Sequence, residues 1–263
     1  MDSADNISSA DNLAIYIRKG GIDTITGNSS RRNFASCIVD ESITQPERIL
    51  EEAVYANPWL LGDFARTDII ADAVRFALCP AAVADSGLLI AGTAKRLWHD
   101  CDTDSLTVEK CSLATAAITA FDRSLSGFVS RTFPRAVLHH RLTSQIDFFA
   151  SLSRPVNKIK LYVHFAGDSH VDLIAFSAAG VMMANSFDCP ESADSLYFIM
   201  AAVKDMGFDP LDDELVICGN HARCEQLTET LRRYLNSVMP LLLPAPENEM
   251  PAELLFYLKD YRQ

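Results

Sequence analysis

With 263 residues, 49% apolar and 22% charged, the chain is long enough to bury a sizeable core without disulfides or metal. Its 35 acidic residues against 23 basic ones give a net charge of −12. That argues against nucleic-acid binding, which draws on basic surface, and leaves Arg31-Arg32 and Arg232-Arg233 as solvated pairs. The dense apolar stretches, such as Gly87 to Ala91 and Val238 to Leu243, fall far short of the roughly 18 to 20 residues of a membrane span, so no membrane insertion is expected.

The chain opens with MDSADNISSADN, which lacks the basic and apolar regions of a signal peptide and reads as a disordered tail over residues 1–12. The odd count of seven cysteines then points to reduced thiols and a cytoplasmic location. Leu13 to Ile17, Ile22 to Thr26 and Asn33 to Val39 read as a three-strand meander. Thr44-Gln45-Pro46-Glu47 has the form of a capping box, opening a helix with Ile49, Leu50, Ala53 and Val54 on one face. An extra segment, about 58–109, is expected to hold a small hairpin (Thr67 to Ile70, Arg75 to Leu78) and a helix. Leu113 to Ile118 then reads as the fourth strand, Ala120 to Ser130 as a helix and Arg135 to His139 as the fifth strand. Arg141 to Leu152 is the closing helix, with Leu142, Ile146 and Phe149 inward.

After a linker over 153–158 the pattern begins again. Ile159 to Phe165 alternates apolar and polar residues, Gly167-Asp168-Ser169 is turn chemistry, and Val171 to Phe176 and Val181 to Phe187 complete a second meander. Ser192 is placed to cap a helix striped by Leu196, Ile199, Met200, Val203 and Met206, with Gly207 at its end. Glu214 to Cys218 is a short buried strand and Ala222 to Leu235 a helix. Asn236 to Leu242 is a last strand and Pro251 to Tyr261 the closing helix. Both halves, 13–152 and 159–263, thus read as the same unit, βββαβαβα.

Two such units in tandem, the first with an insertion, resemble the actin, sugar-kinase and heat-shock-ATPase fold. More narrowly, the stretch KLYVHFAGDSHVDLIAFSAAGVMMANSF (Lys160 to Phe187), the ending MPAELLFYL (Met250 to Leu258) and the run VRFALCP (Val74 to Pro80) are similar to a bacterial family of unassigned activity with an actin-like ATPase fold. The resemblance implies two ribonuclease-H-like subdomains with a cleft between them. It also implies a place for Mg-ATP, held by an Asp and close backbone in the hairpin that opens each half.

Those parts look degraded. Tyr16 or a neighbour takes the first Asp position, beside the turn Arg18-Lys19-Gly20-Gly21. The second falls near His164, beside Ala166-Gly167-Asp168-Ser169. The strand end that would meet adenosine reads Leu215 to Gly219, then Asn220 where a second glycine is usual. Eleven glycines in 263 residues, about 4%, fit the loss of such loops. Lys19, Gly20, Gly21, Gly167, Asp168, Ser169, Gly219 and Asn220 are the cleft candidates, with no catalytic residue and no metal ligand among them.

Cys218, His221 and Cys224 supply three zinc-type ligands but no fourth, so Cys218 reads as a buried hydrophobe. His139-His140 lie at a strand-to-helix junction, a common functional position, with no evident partner. Trp59 and Trp98, both in the inserted segment, read as core of the insertion, with an interface as the alternative. The expected function is a non-catalytic actin-like protein that binds a protein partner or itself, without a cofactor. The alternative is a nucleotide- or phosphometabolite-binding protein, a slow ATPase or kinase using the cleft.

Overall fold

The computed structural model describes residues 11–28, 32–100, 102–153, 157–167, 169–243 and 250–260. β1 (Asn12–Arg18), β2 (Gly21–Gly27) and β3 (Arg32–Ile38) form the expected antiparallel meander, with Asn12 already in β1 rather than in a tail. α1 (Pro46–Ala56) buries Ile49, Leu50 and Ala53. The capping box does not close, because Gln45 is the N-cap and makes no side-chain bond. Pro46 starts this helix instead, at a position where a missing N–H costs nothing.

β4 (Arg66–Ala71) follows, parallel to β1. Next come β5 (Arg75–Pro80), α2 (Ala81–Ala84), α3 (Gly87–Leu97), β6 (Leu106–Cys111) and β7 (Thr115–Ala120). α4 (Arg123–Thr132), capped by Asp122, leads to β8 (Ala136–His140), parallel to β4, and α5 (Arg141–Leu152). The first sheet runs β3-β2-β1-β4-β8, and a separate small sheet runs β5-β7-β6. The fourth strand is therefore β4. Leu113 to Ile118 contributes instead to the middle strand of the small sheet, and β4 and β5 do not form a hairpin together. Asp68 interrupts the apolar run of β4 and hides its buried, central character. That carboxylate is tolerated because Arg66 lies 2.6 Å and His139 2.7 Å from it.

The second lobe has β9 (Lys160–Ala166), β10 (His170–Ser177), β11 (Gly180–Asp188), α6 (Ser192–Asp205), β12 (Glu214–Gly219), α7 (His221–Leu231), β13 (Val238–Pro240) and α8 (Ala252–Asp260). Its order, β11-β10-β9-β12-β13, repeats that of the first sheet. Ser192 is the first helical residue rather than the cap, and its hydroxyl donates to Gln226 at 2.8 Å. The last strand is shorter than expected, three residues.

The two sheets are covered differently on their two faces. Outside, Leu13, Ile15 and Ile17 pack on α1 and α4, and Leu161, Val163 and Phe165 pack on α6 and α7. Inside, the helices are exchanged. Ala14, Tyr16, Ile25 and Ile70 of the first sheet meet Leu254 and Tyr257 of α8. Tyr162, Ile174, Phe176 and Val216 of the second meet Leu142, Ile146 and Phe149 of α5. Phe256 ties the exchange together, its ring 4.7 Å from Phe148 and 5.0 Å from His164. Each half thus completes the core of the other. Among the described residues no helix is long and apolar enough to cross a membrane.

Candidate functional site

Strand pairing sets up the same juxtaposition in both lobes. Tyr16 on β1 stands opposite Asp23 on β2, and His164 on β9 stands opposite Asp172 on β10. Residues directly opposite in an antiparallel pair share a face, here the inner one. Tyr16 and His164 lie at or near the positions where the resemblance calls for Asp, and each has a carboxylate one strand away. Asp23 is taken by Arg18, with Nε at 2.7 Å. Asp172 is fully buried and is taken by a residue from the other lobe.

That residue is Arg141, the first residue of α5, which enters the crevice beyond the carboxyl end of β8. Its side chain is 3% exposed. The guanidinium bonds Asp172, donates from Nε to Asp72 at 2.5 Å and from Nη2 to Ser186 at 2.7 Å. Asp72 follows β4 of the first sheet, whereas Asp172 and Ser186 belong to the second. Gln145, one turn further along α5, donates to Asp172 at 2.8 Å, and His164 Nδ1 lies 3.4 Å away. Burial by itself would raise the Asp172 carboxyl, but the Arg141 charge and the bond from His164 hold it well below the usual carboxylate range. Burial likewise disfavours the Arg141 charge, and Asp172 and Asp72 reverse that and push it up.

A second cluster adjoins the first. His139 bridges Asp68 of β4 at 2.7 Å and Glu109 of β6 at 2.9 Å, fastening the small sheet to the first lobe. Its pKa is raised to about 9, because hydrogen bonds and charge from Asp68 and Glu109 outweigh the opposing effect of burial. His140, buried against Phe76, is lowered to about 4 by desolvation. Its neutral Nδ1 accepts from Leu142 N and caps α5.

The candidates named from sequence fall into two groups. Lys19 is exposed in the β1–β2 turn, Gly20 O accepts from Val39 N, and a Cβ on Gly21 would meet Cys37 O at 2.1 Å. In the second lobe Gly219 pairs with Phe165, two residues before Gly167, so these two and Asn220 are brought together. A Cβ on Gly219 would meet Phe165 O at 2.3 Å, so strand packing alone demands glycine there. Asn220 caps α7 by accepting from Arg223 N. Ser169 O accepts from Cys189 N, and its hydroxyl meets His170. Asp168 lies outside the described residues. No hydrogen bond or ion pair joins the two groups among the described residues.

Sequence reasoning missed Arg141. The available signal was its position, since an arginine in the first turn of a helix carries the wrong charge for the helix dipole. Cys218 is buried with its thiol pushed well up by desolvation, and among the described residues no group of His, Cys, Asp or Glu is arranged to hold a metal ion.

A family model matches residues 5–238. The chain belongs to the family described as protein of unknown function (DUF3822). Among solved structures it is similar to a protein from Bacteroides thetaiotaomicron VPI-5482 with actin-like ATPase fold and unknown function. That likeness has a TM-score of 0.79 at 21% identity, over 96% of each chain. It is also similar to a chain of the PilM-PilN type IV pilus biogenesis complex, with a TM-score of 0.60 at 9% identity, over 90% of this chain and 89% of that one. No curated protein matches it in sequence. The fold is therefore the actin-like ATPase fold, consistent with the repeated sheet order of the two lobes.

Removing one partner of a buried ion pair leaves the other charge without solvent or counter-charge. Arg141→Leu should accordingly lower the unfolding free energy in urea by about 3–5 kcal/mol. Adding Asp172→Asn should return a large part of it, whereas a single-variant loss below about 0.5 kcal/mol, ordinary for surface sites, would contradict the buried tie.

The His139 bridge makes stability pH-dependent with a definite sign. Its folded pKa lies above the ordinary value of 6.5, so its contribution is complete below that value and is lost as pH climbs toward about 9. His139→Asn should remove that decline, an effect of about 3 kcal/mol or less. Urea titrations of both proteins across the interval check it, and parallel profiles would refute the assignment.

Proposed function

We propose that this chain is a non-catalytic member of the actin-like fold that works by binding a protein partner or a second copy of itself, in the cytoplasm. The observation that carries the reading is Arg141, whose guanidinium spans from Asp72 of one lobe to Asp172 and Ser186 of the other. It brings fixed positive charge to the inner-face positions where the resemblance expects metal and phosphate to be held.

The fold's usual Mg-nucleotide is a poor fit to these residues. Mg²⁺ asks for a near-octahedral shell of oxygens. Here the buried carboxylate is committed to a guanidinium, and Tyr16 and His164 stand at or near the carboxylate positions. Asp172 Oδ1 and Gln145 Oε1 are buried acceptors without a hydrogen-bond partner. Two such oxygens are too few for a magnesium shell, and a cation there would face Arg141.

Glycines that favoured a nucleotide- or phosphometabolite-binding reading are explained locally, Gly219 by Phe165 and Gly21 by Cys37. One solved relative of this fold is described as a complex of two proteins, PilM and PilN. That is the kind of use proposed here.

A ligand at a hundred times its dissociation constant adds about 2.7 kcal/mol, which for a chain of this size raises the melting temperature by roughly 5–10 °C. Millimolar Mg-ATP, Mg-ADP and sugar phosphates should leave the melting temperature of the full chain unchanged. A reproducible rise with Mg-ATP would overturn the reading.

A further inference from the structure

The inner face of the first sheet carries a cavity of about 300 Å³ at the end remote from the Arg141 cluster. Asn12, at its edge, is four residues back along β1 from Tyr16, about 13 Å at the rise of a strand. Ala14 and Ile25 of the sheet and Tyr257 and Leu258 of α8 line it with apolar surface. Asn12 and Arg32 supply polar groups, and among the described residues neither side chain has a hydrogen bond or ion pair. An unpaired arginine is unexpected in a chain with twelve more acids than bases, 35 against 23. The cavity lies at the lower end of the range for small-molecule pockets, roughly 300–1,000 Å³.

We propose that this cavity binds a single carboxylate carried on a compact apolar body, either a free aliphatic acid or the carboxyl end of a partner peptide with an aliphatic last residue. The guanidinium of Arg32 matches a carboxylate through two parallel hydrogen bonds, with the Asn12 amide as a further donor beside it. The apolar body lies on Ala14, Ile25 and Leu258 and against the Tyr257 ring. One cation sets the charge of the ligand at minus one. A phosphate monoester carries nearly two negative charges and meets the repulsion of a chain at −12.

The test uses titration calorimetry on the full chain with four probes: octanoate, octanamide, N-acetyl-leucine and N-acetyl-leucinamide. At least one acid should bind roughly tenfold more tightly than its matched amide. Arg32→Glu, at an exposed position, should abolish that preference without lowering the melting temperature. Preference for octanoate assigns the site to a free acid, and preference for N-acetyl-leucine assigns it to a peptide end. The inference fails if neither acid binds at millimolar concentration, if acid and amide bind alike, or if Arg32→Glu keeps the preference. Its failure leaves the Arg141 reading standing, because the two sites share no residue.

Discussion

Arg141 has left water almost completely, and a guanidinium cannot relieve that cost by losing its proton. Taking such an ion into a protein interior costs several kcal/mol, repaid only by well-placed counter-charge and hydrogen bonds. Asp172, Asp72 and Ser186 provide them, and they come from both lobes. The relative placement of the lobes is thereby fixed at the point where they meet. The commitment also runs the other way. Asp172 stays ionised while fully buried because Arg141 is beside it, so the one interaction accounts for both charges.

The exchange of closing helices makes this geometry possible. α5 leaves β8 of the first sheet but lies on the second, so its first residue is delivered to the boundary. α8 makes the reciprocal crossing and seals the inner face of the first sheet through Leu254 and Tyr257. His140 holds the start of α5 in place as a neutral cap, and His139 fixes the adjoining strand to Asp68 and Glu109.

Much of the architecture was legible from the sequence because meanders and amphipathic helices write their period into the residues. Leu161, Val163 and Phe165 alternate as a half-buried strand should, and Ile49, Leu50 and Ala53 mark the inner stripe of α1. What failed were the places where tertiary pairing overrides local pattern. β4 was obscured by Asp68, whose burial depends in part on His139, 71 residues further along the chain. Leu113 to Ile118 reads like a central strand because from Thr115 onward it is the fully buried middle strand of the small sheet. Of the site, the resemblance pointed to the neighbourhood of Tyr16 and His164, the strand residues that face Asp23 and Asp172. Arg141 could not be paired, since Asp172 is 31 residues away and Asp72 is 69, and nothing local records that they meet.

A crystal structure of the full chain, grown with millimolar magnesium and a non-hydrolysable ATP analogue, would show what occupies the space around Arg141. The expected result is clear density for the Arg141 guanidinium on Asp172 and Asp72, with no nucleotide between the lobes. A metal-bound triphosphate seated there, with Arg141 swung away from Asp172, would contradict it.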